Sequence, residues 1–167
     1  MTMAVGLYRI KRWMYEGGRP NWLARVMNYT SALQFSTGVF APRSWMTLEV
    51  PGRRSGRLVS VPVVVTEMDG ARYLVSMLGG SANWVRNARA ADGLVTLRHG
   101  RREEVRLAEV ATERRAPILR QYLQVAPGAR PHFPVDRHAS LDEFGAIAAD
   151  YPVFKIVRPV DWPPEQD

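Results

Sequence analysis

The sequence predicts a mainly β domain: about six short antiparallel strands closed into a small barrel, with flanking helices. Three observations carry this. Runs rich in Val, Leu, Tyr and Trp recur from Ser44 onward, bounded by Pro-Gly, Asp-Gly, Gly-Gly and His-Gly pairs. The Met68-Asp69-Gly70 and Arg98-His99-Gly100 connections are short enough for hairpins. Regular strand–helix alternation is absent, as are the GxGxxG and GxxxxGKS/T phosphate loops of parallel α/β domains.

Each element has its own signal. Over residues 3–15, Met3, Leu7, Ile10 and Met14 share one helical face, and Gly17-Gly18 stops the helix. A second helix follows Pro20, with Trp22, Leu23, Val26, Met27, Thr30 and Leu33 as its apolar stripe. Strands are expected at 44–50, 57–66, 71–77, 94–99, 101–110 and 153–158. A short helix is expected near 82–91. Another runs from Thr112, a candidate N-cap, to about Val125, with Pro127-Gly128 beyond its end. Ser140 is placed to cap a third, over LDEFGAIAAD. The expected organisation is a single domain: an N-terminal helical extension, residues 1–43, on or near the mouth of a barrel spanning residues 44–160.

Composition narrows the chemistry. The chain has 167 residues, 46% of them hydrophobic, enough for one real core. It has no cysteine, which excludes disulfides, thiol catalysis, Cys-ligated zinc and iron–sulfur clusters. His99, in a hairpin turn, reads as structural; His132 and His138 lie in a Pro-rich loop without metal-ligand spacing, so no metal site is expected. There is no GxSxG, and Glu103-Glu104 straddle two faces of one strand, which argues against a shared carboxylate site.

The net charge of +7 is unevenly placed. Residues 1–60 hold nine Lys and Arg against two Asp and Glu, whereas residues 61–167 balance at fourteen each. Such asymmetry suggests an anionic partner. Nucleic acid is disfavoured, because no helix-turn-helix, RNP-like or zinc motif accompanies the charge. No apolar run approaches the roughly 18–20 residues of a membrane span, and no signal peptide is evident. The chain reads as cytoplasmic. Its basic first helix, with Tyr8, Ile10 and Trp13, suits either the inner face of the cell membrane or docking on the barrel. The 21 arginines against 2 lysines fit a GC-rich, actinobacterial genome.

Two stretches carry the functional signal. In Pro51-Gly52-Arg53-Arg54-Ser55-Gly56, glycines free the backbone to approach a ligand, guanidinium forks match phosphate or carboxylate oxygens, and a hydroxyl adds a donor. A solvated turn has the same composition. In residues 78–90, Gly79-Gly80 follows a strand and precedes a helix, whose N-terminus favours anions. Trp84 and Asn87 share a face of that helix, with Arg86 and Arg89 beside them. A core tryptophan and a helix-end asparagine fit the same pattern.

Together these stretches resemble the deazaflavin-dependent nitroreductase family, FMN-binding-like split β-barrel oxidoreductases that use coenzyme F420. The family pattern is a T-G-R-K/R-S-G turn, a strand with a T-P-L-like element, a Gly-Gly pair, then W-x-x-N-x-x-A. Here it reads Pro51–Gly56, Val61-Pro62-Val63, Gly79-Gly80, and Trp84 to Ala90. Tyr151-Pro152-Val153-Phe154-Lys155-Ile156 resembles the family's last strand, so the likeness spans 44–158. It implies hydride transfer from reduced F420, with FMN the alternative cofactor, to an electron-poor hydrophobic acceptor: a quinone, nitro compound, activated alkene or unsaturated lipid. A non-catalytic lipid- or cofactor-binding barrel is the rival from another class. The implied cofactor residues are Arg53, Arg54, Ser55, Gly56, Pro62, Ser76, Met77, Leu78, Gly79, Gly80, Trp84, Arg86 and Asn87. Tyr122, His132 and Phe133 are the substrate-side candidates. The subgroup resembled is linked to lipid or fatty-acid substrates, and the fold family includes monomers and homodimers. Two positions depart from better-known members: Leu78 replaces a lysine before Gly-Gly, and Val59 replaces an arginine after the turn.

Overall fold

Alternation of side chains along each strand decides how this chain folds. The computed structural model describes residues 43–161; the helices expected over 3–15 and after Pro20 lie outside the described residues. Seven strands form one antiparallel sheet: β1 (Trp45–Pro51), β2 (Leu58–Val64), β3 (Thr66–Met68), β4 (Ala71–Val75), β5 (Leu94–His99), β6 (Arg101–Glu109) and β7 (Val153–Val157). Their order is β2-β1-β5-β6-β7-β4-β3. Three α-helices accompany the sheet among the described residues: α1 (Asn83–Ala90), α2 (Arg115–Val125) and α3 (Leu141–Ile147).

The sheet curls. Leu48 and Val50 of β1, Val95 and Leu97 of β5, Val105 and Leu107 of β6, Phe154 and Ile156 of β7, and Leu74 of β4 are all buried in one cluster. Val61 and Val63 of β2 pack on it, and β2 approaches β4, which makes the sheet a half-closed barrel. The alternate residues Tyr73, Val75 and Val153 face outward onto a second core with Leu119 and Leu123 of α2 and Phe144 of α3. This two-layer arrangement is the split barrel that the sequence predicts.

The strand count is seven rather than about six. The run 57–66 is not one strand. β2 ends at Val64, and buried Val65 gives its N–H to the Ser44 carbonyl at 2.7 Å. The chain then turns the barrel corner and pairs with β4 as β3. Both expected hairpins form: Met68 pairs with Ala71 across Asp69 and Gly70, which both have positive φ, and His99 pairs with Arg101 across Gly100. Pro62 lies on β2, at the margin of the hydrogen-bonded order, where a missing N–H is tolerated.

Helix starts differ in their chemistry. Ser140 caps α3 through a full capping box, its Oγ accepting from the Glu143 N–H and its own N–H donating to the Glu143 carboxylate. Thr112 is not a cap: it begins a 3-10 turn, Thr112–Arg114, and α2 starts at Arg115 with no side-chain cap. Arg115 instead bridges carbonyls, donating to Val110 at 2.8 Å and to Ala148 at 3.1 Å, and so ties α2 to the end of α3.

Candidate functional site

Strand register fixes what meets at each end of the barrel. At one end lie the last residues of β1, β4 and β6 and the first of β2, β5 and β7. The Gly52–Arg57 turn, the Ser76–Gly80 connection and α1 all belong to this end. There α1 plugs the barrel with Val85 and Ala88. Toward the other end, Arg72 of β4 forms a bidentate pair with Glu103 of β6, at 2.6 and 3.0 Å.

The turn is closed tightly. Gly52 N–H donates to the Arg57 carbonyl at 2.8 Å and Gly56 N–H to the Gly52 carbonyl at 2.7 Å. Gly56 sits at φ +66°, in the left-handed region. Ser55 Oγ accepts from the Arg57 N–H at 3.3 Å. Arg53 is tied to α1: its guanidinium donates to Asn83 Oδ1 and Asn87 Oδ1, each at 2.7 Å, and its backbone N–H donates to Asn87 Oδ1 at 3.3 Å. Arg54 and Arg57 are exposed and carry no ion pair with a described residue.

A second feature opens beside the β4–α1 connection, a cavity of about 530 Å³. Met77, Leu78 and Gly79 form one wall, residues 131–134 a second, and Asp150 with Tyr151 a third. Phe133 is buried and stacks on Tyr151 with ring centres 4.0 Å apart and planes 17° apart. The Tyr151 hydroxyl donates to the His132 carbonyl at 2.8 Å, which fixes this wall. Burial, and then the Asp150 carboxylate, push the Tyr151 phenol up. Gly79 lies at φ +80°, where an added Cβ would come within 3.2 Å of the Asp150 carbonyl. Buried Ser76 holds this bend, its Oγ donating to the Gly79 carbonyl at 2.7 Å.

The predicted residues therefore divide. Arg53, Arg54, Ser55 and Gly56 gather at the turn; Met77, Leu78, Gly79, His132 and Phe133 gather at the cavity. Gly80 packs toward Pro152 and Arg89. Trp84 is half-buried, edge-on to Phe154 with ring centres 5.6 Å apart, and serves the barrel core. Asn87 is buried and committed to Arg53. Arg86 is exposed, and Pro62 sits in the middle of β2, away from the turn. Tyr122 does not line the cavity; it is buried in the outer core and tilted against Phe133, and burial pushes its phenol far up. Arg89 is spent on Glu109, at 2.7 and 3.0 Å. Sequence reasoning missed Asn83, Asp150 and Tyr151 as site residues. The Asp-Tyr-Pro step into β7 was the available signal for the last two.

Residues 25–136 match the F420H(2)-dependent quinone reductase family. The chain belongs to that family. It is thus an F420-dependent oxidoreductase, as the resemblance implies. No curated protein matches it. Among solved structures, an F420-H2 dependent reductase is 18% identical, over 68% of this chain and 94% of the other, with a TM-score of 0.47. An F420 reductase is 13% identical, over 74% and 90%, at 0.42. A protein of unknown function from Agrobacterium tumefaciens str. C58 is 13% identical, over 74% and 62%, at 0.50; this likeness is one of fold.

The residues present fit an anionic cofactor. No carboxylate occurs between Glu49 and Glu67 or between Asp69 and Asp92, so neither the turn nor the connection into α1 carries one. Glu109 is paired with Arg89 and Arg115, and Asp92 with Arg106, while the Asp150 carboxylate borders the cavity. Among the described residues no group of three or more His, Asp or Glu could hold a metal, and no helix is long and apolar enough to cross a membrane.

Proposed function

We propose that this F420-dependent reductase passes a hydride to a small, electron-poor, apolar acceptor of quinone type. One observation supports the reading: the cationic turn and the cavity walled by Phe133 and Tyr151 lie at the same end of the barrel. Arg54 and Arg57 hold the anionic part of the cofactor through their guanidinium groups. Ser76, Met77, Leu78 and Gly79 border its ring, which when bound supplies the hydride. The Phe133–Tyr151 stack forms a flat, fixed wall against which a planar acceptor lies, and a cavity of this size falls within the roughly 300–1,000 Å³ of small-molecule sites. The acceptor takes its proton from water, since Tyr122 is buried and the Tyr151 hydroxyl is committed to His132.

A fluorescence titration with F420, run beside FMN, tests the cofactor. Micromolar binding of F420 but not FMN is expected. Oxidation of reduced F420 by a soluble quinone, followed anaerobically by absorbance, then tests the acceptor. Binding of FMN alone, or of neither, overturns the reading. So does F420 binding without quinone-dependent turnover, which would favour a binding protein.

A further inference from the structure

We propose that Asn87 is a positioning residue: it latches the Gly52–Arg57 turn to α1 through Arg53, and so presents Arg54 and Arg57 to the anion. This rests on the functional reading above. It differs from a direct role for Asn87 on the cofactor, and the geometry favours the latch.

Asn87 is 2% exposed, which leaves almost no surface for a ligand. Its carboxamide oxygen already accepts two bonds from one residue, the Arg53 backbone N–H and the Arg53 guanidinium. Both neighbours are obligate donors, so the oxygen must face them. Asn83, one turn earlier on α1, accepts from the same guanidinium nitrogen. The turn's other internal bonds close it on itself, so the bonds from Arg53 are what join it to the helix. Arg53 thus spends its charge within the protein. Arg54, next to it, has no such partner among the described residues.

Two readouts on the full chain test this: hydrogen exchange of the Arg53 amide without cofactor, and the F420 dissociation constant by fluorescence. Asn87→Leu should speed exchange of that amide and weaken F420 about tenfold, the loss expected of roughly 1.4 kcal/mol. Asn87→Asp keeps the acceptor oxygen and should restore both. Arg53→Ala should weaken binding similarly, and the Arg53→Ala/Asn87→Leu double variant should lose no more than either alone. Arg54→Ala should cost less in Asn87→Leu than in the unmodified chain, because the latch acts in part through Arg54.

Multiplying losses for Arg53 and Asn87 would overturn the latch, because each would then touch the ligand independently. So would Asn87→Asp as damaging as Asn87→Leu, or an unchanged Arg53 amide in Asn87→Leu. Should Asn87→Leu not fold, Arg53→Ala combined with Asn83→Ala alters only exposed side chains, and the double variant must lose no more than Arg53→Ala alone. Failure of the unmodified chain to bind F420 would overturn the functional reading, while the exchange rate still decides whether the latch exists.

Discussion

At the scale of single residues, the site depends on backbone shape as much as on charge. Gly79 combines φ +80° with the close approach of the Asp150 carbonyl. Gly79→Ala should therefore cost about 1–3 kcal/mol, read as a lower urea midpoint at constant m-value, and should weaken cofactor binding as the bend opens. This constraint was legible in the Gly79-Gly80 pair. Its reason was not, because Asp150 lies far along the chain. The same holds for Arg53. Its composition marked it as an anion ligand, yet its partners are 30 and 34 residues away, on a helix whose position only the folded sheet sets. Leu78 faces the cavity and packs on the barrel core, which gives its apolar character a structural use.

At the scale of elements, the contrast between Ser140 and Thr112 shows what a cap signal needs. Each precedes a helical pattern. Ser140 has Glu143 three residues on, and the reciprocal pair forms; Thr112 has Arg115 there, and no such pair can form. Ser140→Ala should lower stability by about 1 kcal/mol in denaturant unfolding, with Ser140→Asp restoring most of it. The helices and hairpins were legible because their turn residues are local. The break at Val65 was not, since 57–66 alternates like one long strand; the corner is imposed when β2 and β3 pair with different neighbours. The helices expected in residues 1–42 lie outside the described residues, and so does any contact they make.

For the whole molecule, two cores share one sheet, and Tyr122 sits at the centre of the outer one. Burial disfavours its phenolate, so its folded pKa lies above the ordinary value of about 10. The neutral form is the one the fold accepts. Its contribution is complete below that ordinary value and is lost as pH rises through and beyond it. Thermal unfolding should fall in temperature above about pH 10, with phenolate absorbance from Tyr122 appearing only on unfolding, and Tyr122→Phe should flatten this loss. The strand order has another outcome. β7 is the last of the described strands along the chain, yet it lies between β6 and β4. Without Val153–Val157 the order divides into β2-β1-β5-β6 and β4-β3, and each part has an edge that the same five residues cover. The cationic turn belongs to the first part and the cavity wall at Met77 follows the second. One five-residue strand thus joins the two halves of the site.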